Sequence, residues 1–429
     1  MSLMLDLRFI RENPQAVRDA IRAKQLQGGL ESLERLLTTD EEHRLVRRDL
    51  EEKQAAHNAS NKRIGELRRA GEDTAALMTE MAGLSAEVKR LEEKERALQQ
   101  VIDTLMLEIP NLPHESVPYG ESEHDNVIAK EWGEKREFAF EPKPHWKLMS
   151  ERGWVDLEAG VKVTGAGFPV FRRGGARLVR ALQAYFLDRL AEHGYEEVIP
   201  PLMVNTASAT ATGQLPDKEG QMYEVTDGFF LVPTSEVPVT NLYRDDILDE
   251  ALLPIKLAAY TACFRREAGS YGKDVRGLNR VHQFDKVEMV QFASPDTSYQ
   301  ALEDMTAISE GLLEELGLPY RRLLMCTGDM GFTQAKKYDL EVWSPGQERW
   351  LEVSSISNME AFQSRRLKTR ARAGGAAGKG RPELVHTLNG SALAFPRTIA
   401  AILETYQNED GTVSTPEALK PYLGRELLE

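Results

Sequence analysis

The sequence predicts an α+β protein in which an N-terminal antiparallel coiled-coil arm precedes a domain built on an antiparallel sheet flanked by helices. Apolar residues spaced by alternating steps of four and three between positions 77 and 105 predict one long helix of the arm. Two apolar strands on either side of a Gly- and Arg-rich stretch at 269–280 predict the antiparallel sheet. A Pro- and Gly-containing stretch separates the two patterns. We therefore divide the chain into a helical domain at 1–108, a linker at 109–125 and a second domain at 126–429.

The composition is that of an ordinary globular chain, with 41% hydrophobic and 28% charged residues among 429. No apolar run approaches the roughly 20 residues that cross a bilayer, and charge appears too early at the N-terminus for a signal peptide. Cys263 and Cys326 are too few for a disulfide framework and lack the spacing of a zinc site. We expect a cytoplasmic protein without a membrane segment. A net charge of −14 is unlike a general nucleic-acid binder, but it leaves room for a local basic surface.

The N-terminal third is predicted to form helices separated by short breaks. Residues 2–27 predict one short amphipathic helix before Gly28-Gly29. Thr39 and Glu42 have the spacing of a capping box, which predicts that the next helix begins there and continues to about Arg69. Residues 70–73 predict a turn, so the two long helices form an antiparallel hairpin. At 1.5 Å per residue, each arm of this hairpin is on the order of 50 Å long.

The two helices of the hairpin differ in their seams and in their charge. The second helix carries a sustained seam of Leu77, Met81, Leu84, Val88, Leu91, Glu95, Leu98, Ile102 and Leu105. The weaker seam of the first helix is Val46, Leu50, His57, Ile64 and Leu67. Between Lys53 and Arg69, in its outer half, the first helix has one acid, Glu66, against the cations Lys53, Lys62, Arg63, Arg68 and Arg69. Such a cluster is typical either of a solvated coiled-coil face or of a surface that contacts nucleic-acid phosphates.

The stretch from 257 to 291 carries the densest set of charges beside apolar strands. Its strands are Leu257–Phe264 and a second one that contains Phe284, and we expect Arg265 and Glu267 to share a face because they are two residues apart. Charge at the end of an apolar strand faces either a ligand or an ion-pair partner, since unpaired burial is costly. A ligand is favoured by the number of charged residues that converge here, namely Arg265, Arg266, Glu267, Arg280, Lys286 and Glu288.

Further polar groups lie at the ends of predicted elements. A strand at 229–232 precedes Thr234, Ser235 and Glu236, which lie between prolines in either a ligand-facing loop or a simple turn. Glu352 and Ser355 are predicted at the end of a strand, where a carboxylate and a hydroxyl suit Mg²⁺. Residues 365–382 predict a mobile basic loop.

Two further helices are predicted, each close to proline in the sequence. The helix predicted at 176–192 is followed by a strand at 195–199 and by Pro200-Pro201. The helix predicted at 398–406 follows Pro396 and Arg397, which place a cation beside a helix end that already favours anions.

The stretch CFRREAGSYGKDVRGLNRVHQFDKVEMV, from Cys263 to Val290, resembles motif 2 of the class II aminoacyl-tRNA synthetases. It follows the pattern of the bacterial-type seryl-tRNA synthetases almost throughout. The helix, strand and prolines at 176–201 resemble motif 1 of that class, and residues 386–397 resemble motif 3. The three motifs occur in the family's order, so the resemblance covers nearly the whole chain and implies a class II synthetase catalytic domain.

The resemblance implies a cytoplasmic homodimer that uses ATP and Mg²⁺ to convert L-serine to seryl-adenylate and then charges tRNA(Ser), as well as tRNA(Sec) where that tRNA is present. It implies that Arg265 bridges the serine carboxylate and the α-phosphate, that Arg397 holds the γ-phosphate, and that these two are the catalytic residues. It implies Mg²⁺ binding by Glu352 and Ser355. The implied serine-binding residues are Thr234, Ser235, Glu236, Arg265, Glu288 and Ser391. The implied ATP-binding residues are Arg265, Arg266, Glu267, Arg280, Val281, Phe284, Glu352, Val353, Ser354, Ser355 and Arg397. The arm cations Lys53, Lys62, Arg63, Arg68 and Arg69 would bind the tRNA.

Three alternatives stay open at this stage. The chain could be a serine ligase that acts on an acceptor other than tRNA, although such relatives lack a long arm. It could be a non-catalytic RNA-binding or coiled-coil interaction protein, although the charged residues at the motifs are intact. It could also activate another amino acid, of which threonine is nearest.

Overall fold

The computed structural model describes residues 6–218, 220–267 and 276–428, which fall into two compact units. The first unit is Asp6–Pro110 and the second begins at Asn111. We interpreted residues 109–125 as a linker, but residues 111–125 belong to the second unit: the Asn111 side-chain amide donates to the carbonyls of Thr333 at 3.0 Å and Met359 at 2.8 Å. The predicted domain boundaries at 108 and 125 stay a prediction.

The first unit is entirely helical where it is described, and the predicted antiparallel hairpin is confirmed. Its helices are α1 (Leu7–Glu12), α2 (Pro14–Ala23), α3 (Gly29–Ala70) and α4 (Ala75–Met106). The turn between the long helices is the predicted one, since Gly71 closes α3 in the left-handed region at φ 73°.

Two predictions for the helical unit are wrong. The single helix at 2–27 is two helices, because Pro14 has no N–H and forces Asn13 out of the helical region, to φ −132°. The capping box at Thr39 is also wrong. Helix α3 begins ten residues earlier, after Gly28 at φ 72°, and the Thr39 hydroxyl donates to the Arg35 carbonyl at 2.7 Å in the middle of the helix. A threonine whose hydroxyl bonds to the carbonyl one turn earlier can lie inside a helix, so the Thr-x-x-Glu spacing does not by itself mark a helix start.

The predicted seam holds α3 and α4 together. Leu91 is 3% exposed and packs with Val46 and Leu50, while Val88 and Leu98 cover the same cluster. The polar exception in the seam, Glu95, lies 3.3 Å from the Nε2 atom of the buried His43 on α3. The acidic residue at this seam position therefore lies beside a polar side chain of the other helix.

The second unit is built on an eight-stranded sheet with helices packed against it. Its first half contains β1 (Val127–Trp132), α5 (His145–Arg152), β2 (Val155–Asp156), α6 (Leu157–Val163), β3 (Val170–Phe171), α7 (Arg173–Glu192), β4 (Glu196–Glu197), β5 (Met203–Asn205), α8 (Thr206–Ala211), β6 (Phe229–Leu231), α9 (Glu236–Thr240) and β7 (Ile247–Asp249). Its second half contains β8 (Ile255–Phe264), β9 (Gln283–Ala293), α10 (Ser298–Glu315), β10 (Tyr320–Leu324), β11 (Lys336–Ser344), β12 (Arg349–Glu360), α11 (Ala361–Leu367), β13 (Arg370–Arg372), β14 (Glu383–Leu384), β15 (His386–Ala394), α12 (Phe395–Tyr406) and α13 (Lys420–Leu423).

The strand order in the large sheet is β1-β10-β11-β12-β15-β9-β8-β4, and every pair is antiparallel except β4 with β8. The predicted hairpin is its β8–β9 pair, with Cys263 opposite Phe284. Residues 268–275, most of the predicted basic loop, lie outside the described residues. The main core lies where α7, α10 and α12 cover the sheet, with Leu182, Met305 and Ile402 among its fully buried members.

Two predictions in this unit need correction. The strand at 195–199 is only Glu196–Glu197. Residues 365–382 are not one loop, because α11 continues to Leu367 and residues 370–372 form a strand between β7 and β14. The basic composition misled the prediction, since the Arg372 guanidinium binds the carbonyls of Gly375 and Gly380 and so folds the segment on itself. Among the described helices, none has the length and apolarity needed to cross a membrane.

Candidate active site

A cavity of about 560 Å³ opens on the sheet, where β9, β12 and β15 meet the end of β8 and the start of α12. Most of the residues predicted for ATP and serine line it. These are Thr234, Glu236, Arg265, Glu267, Arg280, Val281, Phe284, Glu288, Glu352, Val353, Ser354, Ser355, Ser391 and Arg397. Segments more than 160 residues apart in the chain therefore converge on one site, and the cavity is large enough for a small ligand.

Two predicted residues, Ser235 and Arg266, are not among those that line the cavity. Ser235 is fully buried, and its hydroxyl lies 2.6 Å from the Thr261 hydroxyl on β8. It therefore supports the segment that carries Thr234 and Glu236. Arg266 has its backbone N–H bonded to the Gln221 carbonyl at 3.0 Å.

Arg265 and Glu267 both reach the cavity, but not by strand alternation as we predicted. Strand β8 ends at Phe264, and Glu267 adopts a left-handed backbone at φ 50°. The Arg280 guanidinium binds Oε2 of Glu267 at 2.8 Å, so a residue that follows β8 contacts one that precedes β9. The Arg265 guanidinium carbon lies 5.3 Å from the ring centre of Phe284. Two arginines, one carboxylate and one aromatic ring thus form one wall.

A β-bulge brings Glu352 and Ser355 to the same face. They lie inside β12 and not at its end, so that prediction is wrong. Residues three apart on a regular strand point to opposite faces. Here Leu340 pairs with Ser354 while Glu341 pairs with Glu352, so Val353 is an extra residue that shifts the alternation by one.

Arg397 connects the start of α12 to β12 and to the β8–β9 connection. It is the third residue of α12, after Phe395 and Pro396, where backbone N–H groups and the helix dipole favour anions. Its Nε donates to the Asn279 carbonyl at 3.1 Å and its Nη1 to the Glu352 carbonyl at 2.9 Å. These bonds hold the guanidinium at the rim of the cavity.

The inner end of the cavity is a buried cluster of acids, one amide and one amine. The Asn389 side-chain amide donates to Glu236 at 3.1 Å and to Glu288 at 3.0 Å, so it bridges the two carboxylates. The Lys286 ammonium contacts Glu288 and donates to the Thr234 hydroxyl at 2.8 Å. Burial, together with the charge of Glu288, raises the pKa of Glu236 to about 7.

The oxygens of Glu352 and Ser355 fit a magnesium ion. The Ser355 hydroxyl donates its hydrogen to Asp339, which leaves its lone pairs for a cation. Desolvation in the cavity opposes ionisation of Glu352, whose side chain is still 47% exposed, but the charges of Arg397 and Lys337 hold its pKa below the ordinary value. The carboxylate is therefore ionised. Two protein oxygens are what Mg²⁺ takes when phosphate and water supply the rest. The described residues contain no cluster of three or more His, Cys, Asp or Glu side chains suited to a metal.

Sequence reasoning missed several cavity residues, including Asn389, Lys337 and the site role of Lys286. Asn389 could have been found, because it is two residues from Ser391 on the same strand and so shares its face. Lys337 could not. It reaches the site only because β11 pairs with β12, where its ammonium lies 3.0 Å from Asp339.

Two family models match the chain. The "tRNA synthetase class II core domain (G, H, P, S and T)" covers residues 222–406, and the "Seryl-tRNA synthetase N-terminal domain" covers residues 4–113. The antiparallel sheet with arginines from motifs 2 and 3 on one cavity is thus the core of a class II aminoacyl-tRNA synthetase.

Individual proteins similar to this chain identify its family within the class II synthetases. The chain is 52% identical to the serine--tRNA ligase of Salinibacter ruber, over 98% of each chain, and 49% identical to that of Symbiobacterium thermophilum, over 99% of this chain and all of the other. The crystal structure of seryl-tRNA synthetase from Pyrococcus horikoshii complexed with ATP is 35% identical over 99% of both chains, with a TM-score of 0.94. The cytoplasmic serine-tRNA ligase of Naegleria fowleri in complex with AMP is 28% identical, with a TM-score of 0.89. The chain belongs to the seryl-tRNA synthetase family.

Proposed function

We propose that this chain activates L-serine with ATP and transfers the seryl group to tRNA(Ser). The observation that carries the proposal is the shared cavity, in which Arg265, Glu352 and Arg397 stand beside a buried pocket of acids. The relatives named serine--tRNA ligase, and the two related structures with ATP and AMP, support the same substrates.

The first reaction needs position and charge neutralisation more than a reactive side chain. The ionised carboxylate of serine attacks the α-phosphorus of ATP. A bond forms between a carboxylate oxygen and the α-phosphorus, the bond from the α-phosphorus to the oxygen that bridges it to the β-phosphorus breaks, and pyrophosphate leaves. Negative charge accumulates on the phosphates, and fixed cations stabilise it without reorganisation. We assign Arg265 to the serine carboxylate and α-phosphate, and Arg397 to the γ-phosphate.

The inner cluster suits the amino acid. We assign Glu236 to the serine ammonium, since an ionised carboxylate makes a strong charge-assisted hydrogen bond to that group. Glu288 and Ser391, whose hydroxyl lies 3.3 Å from Glu288, are assigned to the serine hydroxyl. Removing that hydroxyl, as in alanine, would leave buried polar groups unpaired, which is how such a site discriminates. Thr234 completes the pocket, with Ser235 as its support.

The outer wall suits the nucleotide. Phe284 offers a flat face for stacking on adenine. Glu267 has one carboxylate oxygen on Arg280, and its other oxygen is the acceptor that we assign to the adenine amino group. The remaining nucleotide contacts are assigned to Arg280, Val281, Val353 and Ser354, which line the cavity; Arg266 does not line it and is given no contact. Glu352 and Ser355 would hold Mg²⁺, which when bound neutralises charge on the phosphates.

The α3 cations suit a phosphate backbone. Lys62, Arg63, Arg68 and Arg69 are exposed, whereas Lys53 is half-buried and lies 3.3 Å from Glu87 on α4. We assign this surface to tRNA(Ser), and to tRNA(Sec) where that tRNA is present. A homodimer formed through motif 1 and a cytoplasmic location complete the proposal; the two cysteines, both free and buried, fit a reducing compartment.

Amino-acid-dependent exchange of pyrophosphate into ATP tests the proposal. Exchange with serine is expected to exceed exchange with threonine or alanine by at least about a hundredfold. Stronger exchange with threonine would indicate a different amino acid, and no exchange with any of the three would contradict the enzyme function. Charging of tRNA by the same preparation distinguishes a tRNA ligase from a ligase for another acceptor.

A further inference from the structure

Behind the nucleotide wall, a fully buried histidine and carboxylate connect α5 to α12. His145 and Glu404 are both 0% exposed. The ring Nδ1 of His145 lies 2.8 Å from Oε1 of Glu404, and the His145 backbone N–H donates to the same oxygen at 2.9 Å. The roles assigned above to the cavity residues leave this pair without a function.

The other ring nitrogen of His145 holds the backbone beside the cavity. Nε2 accepts the Leu278 N–H at 3.0 Å, so it carries no hydrogen, and Nδ1 is the protonated nitrogen that donates to Glu404. The neighbouring Gly277 is required by close approach, because a Cβ there would lie 2.4 Å from Nε2. These hydrogen bonds therefore fix the tautomer of His145, and His145 in turn holds the main chain at Leu278 in place.

Residues 277–280 lead directly to the proposed nucleotide contacts. The carbonyl of Asn279 accepts from Arg397, and Arg280 binds Glu267. The Asn279 side chain adds a second route, since its amide donates to Gln347 at 2.8 Å and Gln347 donates to Glu404 at 3.1 Å. Motif 2 and motif 3 arginines are thus tied to the same buried carboxylate.

We propose that His145 is a positioning residue for ATP, which sets the backbone at 277–280 and through it the orientation of Arg280 and Arg397. This inference rests on the function proposed above. His145 has no contact with the cavity, so its effect is indirect. If its acceptor is lost, the buried Leu278 N–H has no partner, and movement of this stretch would relieve that cost.

Two substitutions of His145 distinguish the roles of its two ring nitrogens. In His145→Asn the amide can still donate to Glu404 from the Nδ1 position, but the acceptor for Leu278 is lost. In His145→Gln the carbonyl oxygen occupies roughly the Nε2 position and can accept from Leu278. We expect His145→Asn to raise KM for ATP in the exchange assay by on the order of tenfold, with KM for serine within about threefold of wild type.

His145→Gln should keep KM for ATP within about threefold of wild type. His193→Asn, at an exposed histidine after α7, is the matched control and should change neither constant. Gly277→Ala would place a Cβ 2.4 Å from Nε2 at a residue with φ 63°, so it displaces the same stretch by a different change and should also raise KM for ATP. Thermal unfolding of each variant identifies any that fails to fold.

Equal changes in KM for ATP with Asn and Gln, or a parallel rise in KM for serine, would overturn the positioning role, because loss of packing alone gives that result. Calorimetric titration with ATP keeps this test separate from the proposed function. Wild-type protein without serine-dependent exchange would contradict the function. If it still bound ATP, the comparison of the Asn and Gln variants by ATP affinity would decide the role of His145.

Discussion

At the scale of single residues, the pKa of Glu236 bears directly on the proposed binding of serine. Its pKa is raised to about 7 by burial and by Glu288, while Gln363 and Lys286 act in the opposite direction. The folded chain therefore binds this proton more tightly than the unfolded chain does. The cost to stability is present above pH 7 and disappears as the pH falls toward the ordinary value near 4.5. A buried carboxylate is kept ionisable at the point where we assign a cation.

We predict that serine binding weakens as the pH falls through 7. The serine ammonium needs Glu236 ionised, so protonation competes with binding, and KM for serine should rise up to about tenfold per unit below pH 7 and stay flat above it. The measurement is KM for serine in pyrophosphate exchange between pH 5.5 and 8.5. Glu236→Gln is the control: it should bind serine weakly with little pH dependence. The same slope in both proteins would contradict the role of Glu236.

At the scale of elements, the arm is held by a narrow apolar seam. Leu91 packs against Val46 and Leu50 and is 3% exposed, whereas Leu45 on α3 is 53% exposed. A seam between two helices has few layers, so each buried leucine carries a large share of its stability.

We predict that Leu91→Ala lowers the free energy of unfolding of the helical unit by about 2–5 kcal/mol, because it removes buried methyl groups and leaves a cavity. Leu45→Ala, the same change at an exposed position, should alter it by about 0.5 kcal/mol or less. Urea unfolding followed by circular dichroism measures both. Similar shifts for the two variants would contradict the assignment of the seam. Serine-dependent exchange should survive in both.

How far the sequence predicted these elements depended on the kind of signal. Heptad spacing predicted the α3–α4 hairpin, and apolar runs on either side of a Gly- and Arg-rich stretch predicted the β8–β9 pair, because both signals are local in the sequence. The start of α3 was missed because Thr39 and Glu42 have the spacing of a cap although the helix passes through them. The bulge at Val353 was missed because it depends on pairing with β11, which local sequence does not encode.

At the scale of the whole molecule, one part of α3 carries a local charge opposite to that of the whole chain. The net charge is −14, yet residues 62–69 of α3 expose four cations, and Glu66 is the one acid in this stretch. Local charge, and not the total, decides contact with phosphates within a Debye length of about 10 Å. The amino acid and the nucleotide are assigned to the sheet-based unit, and the tRNA also to the helical one.

We predict that replacing Lys62, Arg63, Arg68 and Arg69 by Gln weakens tRNA charging and leaves serine-dependent exchange unchanged. Each lost phosphate contact should reduce the slope of log affinity against log salt by about one. Binding of tRNA(Ser) across a salt series measures the slope. Glu66→Gln provides a control of opposite sign, since it removes the one acid and should tighten binding. Equal loss of charging and exchange in the Gln variant would contradict the division of roles.

The most direct test concerns the idea that fixed cations, and no covalent step on the protein, activate serine. Arg265→Ala should lower the rate of serine-dependent pyrophosphate exchange by on the order of 10²–10³, the usual cost of removing one preorganised donor from a developing charge. Arg47→Ala, at an exposed arginine of α3, is the control and should keep the wild-type rate. An Arg265→Ala protein that folds and exchanges within about threefold of wild type would contradict the proposed mechanism.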